Sequence, residues 1–284
     1  MWKQKLGMSV ANQYSIPTTE VVELLAKIGF DAISPVWNAK VDLTPTLAAA
    51  KACGLELQSI HGPFHAVNRM WNTDESVSAP VLKELLRSLE DCNRWEIPVL
   101  VSHTWIGFGN EVGDISCGLK NYETLVAKAK EYGVRIALEN TEGLSYLKCL
   151  MEHFKNDPTV GFCWDSGHEM CYNGFEDLLA EYGNRLYMTH LNDNLGVSRY
   201  DGKIYWTDDL HLLPYDGIAD WDAIAQRLKN AAKPAALNFE LKLASPPNRH
   251  ENDVYQQMSP VAYFTEAYKR ACRVAHRVLQ CSME

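Results

Sequence analysis

Nine residues of metal-ligand type are spaced along the chain: His61, His103, Glu139, Asp165, His168, His190, Asp209, His211 and Glu240. Six of them each follow a short apolar run. His61 follows residues 55–60, His103 follows 99–102, and Glu139 follows 135–138. Asp165 follows 160–164, His190 follows 186–189, and Glu240 follows 236–239. One histidine in such a place is most often a hydrogen-bonded structural residue. A carboxylate there is costly unless it is paired or metal-bound. Six successive ligand-type residues are hard to explain by core packing, so a divalent metal site is expected. Mixed nitrogen and oxygen donors suit Zn²⁺, Mn²⁺, Co²⁺ or Fe²⁺. A carboxylate-rich set leans towards Mn²⁺ or Mg²⁺, and an imidazole-rich set towards Zn²⁺.

The elements that must carry these residues alternate along the chain. Residues 6–10 and 32–36 read as the first two strands, and the six runs above as the other six. The strands read as apolar runs, as buried parallel strands do. Amphipathic stretches at 18–28, 44–53, 79–95, 121–132, 145–154, 175–182, 221–231 and 261–279 follow them. Gly54 and Gly133 sit where helices stop. Eight units share 284 residues, about 36 each, a normal βα size. An open doubly wound sheet would carry a glycine-rich loop after its first strand. That loop reads Ala11-Asn12-Gln13-Tyr14 and lacks the fingerprint. The expected fold is therefore α/β, a (β/α)8 TIM barrel forming a single domain over residues 1–284. In a closed barrel the C-terminal strand ends ring one mouth, where the nine side chains can meet.

Composition narrows the function. The chain has 27 basic and 36 acidic residues, a net charge of −9. Binding to nucleic acid draws on Lys and Arg, so this balance argues against a DNA surface. No apolar run reaches the length of a membrane span, and the start has no signal-peptide pattern. The eight cysteines (Cys53, Cys92, Cys117, Cys149, Cys163, Cys171, Cys272 and Cys281) form no Cys-x-x-Cys pair. They read as reduced thiols of a cytosolic protein, packed as small apolar core residues. Carboxylates near Cys163 should leave its thiol inactive. His153 and His276 read as surface residues, and His65 and His250 as loop histidines.

Five motifs lie in order on these units: Leu-Glu-Asn at 138–140, Trp-Asp-Ser-Gly-His at 164–168, His-Leu-Asn-Asp-Asn at 190–194, Asp-Leu-His-Leu-Leu-Pro at 209–214 with Gly217 and Trp221, and Phe-Glu at 239–240. Together they make the chain resemble the xylose-isomerase-like TIM-barrel superfamily over nearly its whole length. That group holds sugar isomerases and epimerases, inosose dehydratases and the endonuclease IV class. The epimerase branch holds its metal with two Glu, one Asp and one His, which implies Glu139, Asp165, His190 and Glu240 here. The resemblance also implies that His168 lies beside the substrate oxygens, and that Glu139 and Glu240 flank the sugar on opposite faces as the acid/base pair. The endonuclease branch binds three zinc ions, and all nine matching positions are filled in this chain. Loops 62–78, 104–118 and 141–145 carry one Lys or Arg, Arg69, which counts against phosphodiester cleavage. The best-known ketose epimerases carry an Arg soon after the strand-seven His. Here 194–198 reads Asn-Leu-Gly-Val-Ser and Arg199 is the nearest, which leaves the sugar open.

The loop after strand seven, at about 194–220, is long enough for a lid. Within it Arg199, Lys203 and Trp206 are candidate substrate contacts, and so is Trp105 after strand four. Trp37, Trp71 and Trp105 either stack on sugar faces or pack locally, and Arg249 is a further candidate for a substrate phosphate. The expected protein is a metal-dependent isomerase or epimerase of a small carbohydrate or polyol (ketose, sugar phosphate or inosose), working through an enediolate. A divalent ion would stabilise that enediolate while one carboxylate removes a proton and the other returns one. Alternatives are a keto-sugar dehydratase or lyase on the same site, an endonuclease IV-like multi-zinc phosphodiesterase, or a catalytically dead sugar-binding barrel. A homo-oligomer is compatible with each.

Overall fold

The computed structural model describes residues 4–11, 13–108 and 115–281. Asn12, the 109–114 part of the loop after strand four, and the side chain of Cys281 lie outside the described residues. In chain order the elements are β1 (Leu6–Val10), α1 (Thr18–Ile28), β2 (Ala32–Pro35), α2 (Thr44–Ala52), β3 (Glu56–Leu57), β4 (Ile60–His61), α3 (Glu75–Trp95), β5 (Val99–His103), α4 (Ile115–Tyr132), β6 (Arg135–Glu139), α5 (Leu144–His153), β7 (Val160–Asp165), α6 (Ser166–Cys171), α7 (Leu178–Tyr182), β8 (Leu186–His190), α8 (Trp221–Asn230), β9 (Leu237–Phe239), α9 (Asp253–Gln256) and α10 (Pro260–Cys281).

The strands form two parallel ladders, β3-β2-β1-β9 and β4-β5-β6-β7-β8. They close into a TIM barrel at two seams. At the first, the third strand is broken into β3 and β4 rather than continuous over 55–60. Gln58 still donates its backbone N–H to Ile33 in β2, whereas Gly62 donates to Val101 in β5. The chain thus passes its backbone bonds from one ladder to the other across residues 58–61. At the second seam Leu191 pairs with Phe239 in parallel, and the Leu191 N–H donates to the Asn238 carbonyl at 2.9 Å.

The main core lies between this sheet and the surrounding helices. A small second cluster of Val99, Val101, Ala137, Cys163 and Met188 joins β5 to β8. Burial pushes the Cys163 thiol up to about 12, so it is protonated at neutral pH. Among the seven cysteines whose side chains are described, the expectation of core packing holds for Cys92, Cys163 and Cys171. Cys53 and Cys272 are exposed, while Cys117 and Cys149 are half-buried. Cys53 caps the end of α2, and Cys272 lies on the outer side of α10.

The sixth unit departs most from its expected form. Helix α7 starts at Leu178, not residue 175, because Gly174 and Phe175 both adopt positive φ. A six-residue helix, α6, begins directly after Asp165. The long segment after β8 is tied down at Asp208. Its carboxylate accepts from the Ser198 N–H and from Arg249, and its carbonyl accepts from Asn194. No helix among the described residues is long and apolar enough to cross a membrane.

Candidate active site

Parallel strands bring their C-terminal residues to one side of the barrel. His61, His103, Glu139, Asp165 and His190 are the last residues of β4, β5, β6, β7 and β8, and Glu240 directly follows β9. His168 enters from α6, and Asp209 and His211 from the long segment after β8. The structure brings all nine together. Glu139 is at the centre and fully buried. Its Oε2 lies 3.3 Å from both His61 Nε2 and His103 Nε2. Its Oε1 lies 3.1 Å from His190 Nδ1 and 3.4 Å from His168 Nδ1. Glu240 Oε2 approaches the same His190 Nδ1 at 3.0 Å. Asp209 Oδ1 lies 2.9 Å from His211 Nε2 and 3.4 Å from His168 Nε2.

Three imidazoles have their tautomer set by the backbone. His61 Nδ1 is 2.8 Å from the Gly62 carbonyl, His168 Nδ1 is 3.0 Å from that of Asn140, and His211 Nδ1 is 3.0 Å from that of Glu240. A carbonyl only accepts, so each Nδ1 carries its proton there. Each Nε2 is then left facing a carboxylate. That contact needs a cation, either a proton on the ring or a metal ion. Both Glu139 oxygens and both His190 nitrogens are buried and lack a partner in hydrogen-bond geometry. Ring nitrogens held by backbone carbonyls on one side and converging with carboxylates on the other form a donor set that fits a divalent ion.

Three sets of donor atoms stand out. Glu139, Asp165, His190 and Glu240 can each offer one atom so that all lie within 4.8 Å of one another. His61 with His103 and Glu139, and Asp165 with His168 and His211, do the same. The charges fit together. Burial opposes ionisation of Glu240, but the charges of His190, 3.0 Å away, and His211 hold the carboxyl below the usual range. Burial raises Asp165. Burial likewise opposes a charge on Asp209, but His211, Lys242 and His168 hold it ionised.

Asparagines position Asp165. The Asp165 N–H donates to Asn140 Oδ1 at 2.7 Å, and Asn140 Nδ2 returns a bond to the Asp165 carbonyl. Asn192 Nδ2 donates to Asp165 Oδ2 at 2.9 Å, while Oδ1 caps α6 through the His168 N–H. Asn140 and Asn192 stand inside the sequence motifs, but their roles depend on contacts 25 and 27 residues away. Gly167 leaves room for this arrangement, because a Cβ there would collide with Asn192 Oδ1. Gly167→Ala is expected to weaken metal binding about 10- to 100-fold with the fold retained, as loss of a ligand's supporting partner does. Metal titration followed by calorimetry would read this, and unchanged affinity would remove Asn192 from the site.

A cavity of about 200 Å3 opens over the cluster, lined by His61, His103, His168, Asp209, His211 and Glu240, with Phe64, Gln13 and Lys242. A second, of about 280 Å3, adjoins it and is walled by Phe64, Ile106, Phe108, Tyr172 and Trp206. Of the expected substrate contacts, Trp206 lines this second space. The other three do not line either cavity. Trp105 is buried and stacks on Tyr146 at 4.1 Å between ring centres. Arg199 is exposed and lies over the Tyr205 ring, and Lys203 is exposed. Trp37 and Trp71 are also packing residues, their indole N–H groups donating to Asp91 and the Thr104 carbonyl. Buried tryptophans find such partners. Arg249 is held by Asp208 and Glu251. His65 lines the second cavity, while His250 is exposed and pairs with Asp253. Lys242 and Glu142, both cavity-lining, were not singled out in the sequence.

Comparison with known proteins follows the same lines. Residues 22–258 match the family described as xylose isomerase-like TIM barrel. An uncharacterised protein, y4fM of Sinorhizobium fredii (strain NBRC 101917 / NGR234), is 32% identical over 164 residues, 54% of this chain and 48% of its own length. The chain thus spans about half the length of that curated relative. The IOLI protein with a binding zinc atom is 18% identical with a TM-score of 0.71, over 96% of this chain and 99% of that one. L-ribulose 3-epimerase is 14% identical with a TM-score of 0.70, over 99% and 96%. At these identities the likeness to solved structures is one of fold.

Proposed function

The chain belongs to the xylose isomerase-like TIM barrel family, and from that premise we propose that it is a divalent-metal-dependent isomerase or epimerase of a small carbohydrate or polyol. One observation carries this reading: Glu139 and Glu240 approach the same His190 nitrogen, at 3.1 and 3.0 Å, in a four-donor set with Asp165. The names of the fold neighbours, L-ribulose 3-epimerase among them, support the same reaction class. The seven described cysteines are free thiols, which supports a cytosolic setting.

Glu139, Asp165, His190 and Glu240 would hold the ion. When bound, it supplies positive charge that offsets negative charge developing on neighbouring substrate oxygens. The protein's own groups do the rest. Glu240 lines the open cavity and takes a carbon-bound proton next to the substrate carbonyl. Glu139, buried behind the cluster, would relay one back from the other side, drawn from the imidazoles whose nitrogens lie 3.1–3.4 Å from its oxygens. His168 lines both cavities and orients a substrate hydroxyl. Phe64, Tyr172 and Trp206 exclude water from the second cavity. A keto-sugar dehydratase would share the first proton transfer. Incubating the protein with ketoses, keto-inositols and sugar phosphates in the presence of Mn²⁺ tests the proposal. We expect at least one epimer or isomer to form, and turnover of none of them by the metal-loaded protein would contradict it.

A second reading has a specific observation in its favour. His61, His103, His168, Asp209 and His211 lie outside the four-donor set, yet three of these rings have backbone-fixed tautomers. That suits a multi-zinc phosphodiesterase. The net charge of −9 counts against it. About three zinc ions per chain, together with tight salt-dependent binding to abasic DNA, would overturn the isomerase reading in its favour.

A further inference from the structure

We propose that Lys242 is a built-in cation that limits how many metal ions the mouth accepts. The inference rests on the metal-dependent reading above and concerns the donors outside its four-residue set. Lys242 stands two residues after Glu240, and its backbone N–H donates to the His211 carbonyl at 3.0 Å. That bond fixes the segment beside Asp209. Its Nζ lies 2.9 Å from Asp209 Oδ2 and 3.3 Å from the Asp209 carbonyl. The side chain is 39% exposed and lines both cavities.

Asp209 thus has two faces. Oδ2 holds the ammonium and also lies 2.9 Å from His211 Nε2, while Oδ1 faces both His168 and His211. A metal ion taking Oδ1 and the two Nε2 atoms would lie across one carboxylate from a fixed positive charge. It would meet like-charge repulsion and a ligand whose charge is already half used. The ammonium makes no such contact with Glu139, Asp165, His190 or Glu240 in the structure. The nine donors therefore divide. One part binds ions, and in the His168–Asp209–His211 part the lysine stands in for an ion, which leaves the two cavity-lining rings to meet substrate rather than metal.

The test is a count of ions rather than a rate. Wild type, Lys242→Met and Lys242→Arg are dialysed against Zn²⁺ and analysed for metal per chain, with thermal unfolding run alongside. Wild type is expected to hold one or two ions. Lys242→Met, which keeps the stem and removes the charge, is expected to gain one, and Lys242→Arg to match wild type. Three ions in wild type would overturn the proposal whatever the variants do, and so would a folded Lys242→Met with no gain. If Lys242→Met fails to fold, Lys242→Gln takes its place under the same criterion. Absence of bound ion from the wild type would instead sink the metal-dependent reading itself, and this inference with it.

Discussion

Glu240→Gln is expected to lower turnover about 10³-fold with the fold intact, within the 10²–10⁴-fold range that a general base contributes. The amide has the volume of the carboxylate and keeps an oxygen, so packing and part of the ligation survive. It cannot take a proton. Glu240 is suited to that role because its side chain is 18% exposed and faces the cavity, whereas Glu139 is fully buried. Burial works against its charge, yet the nearby charges of His190 and His211 keep it ionised at neutral pH. Glu139→Gln should show a different pattern, losing turnover and metal together, because both Glu139 oxygens serve imidazoles on both sides. Steady-state kinetics beside metal content and circular dichroism separate the two. Unaltered turnover in Glu240→Gln would refute its assignment.

The second large effect is on stability. Asp193 is fully buried, and its carboxylate accepts four hydrogen bonds. Oδ1 takes those of the Asn194 and Ala219 N–H groups, and Oδ2 those of the Tyr215 N–H and the Trp221 indole. These bonds hold the end of the long segment against β8 and set the start of α8. The packing is close: a Cβ on Gly217 would collide with Asp193 Oδ1 and the Asn194 carbonyl. Asp193→Ala would orphan four buried donors at once, each costing about 1–3 kcal/mol. Partial relaxation leaves a loss of about 4 kcal/mol or more. At roughly 2–4 °C per kcal/mol, the melting temperature should fall by about 8–16 °C. Thermal unfolding followed by circular dichroism measures this. A shift under about 3 °C would mean that the segment is held elsewhere.

Much of this was legible in the sequence because two simple patterns coincide. Buried parallel strands read as apolar runs, and a ligand-type residue directly after such a run must lie at the barrel mouth. That argument pointed to six of the nine donors, and the short motifs that follow two of those strands added His168, Asp209 and His211. It also delimited β1 and α1 as they occur. It failed where local pattern does not decide. The third strand reads as one run, but closing the barrel divides its backbone bonds between two neighbours. Helix α6 spans six residues, too few for a helical period to show, and it depends on Asp165 as its cap. The tryptophans misled for a related reason. A large ring in a strand-end loop reads equally as a sugar platform or as packing. Partners far along the chain, such as Asp91 for Trp37 and Tyr146 for Trp105, decide which. Lys242 reads as an ordinary surface charge until its distance to Asp209 is known.

The central claim is that this mouth moves a carbon-bound proton with the help of a bound divalent ion. Exchange of substrate protons with deuterated water, followed by mass spectrometry, tests it most directly, because exchange reports the proton-abstraction step even when product is not released. The protein loaded with Mn²⁺ or Zn²⁺ should incorporate deuterium into a ketose, keto-inositol or sugar phosphate. Incorporation should fall to background after chelation, return when the ion is restored, and be absent in Glu240→Gln. Exchange that persists in fully metal-free protein, or at an undiminished rate in Glu240→Gln, would contradict the account.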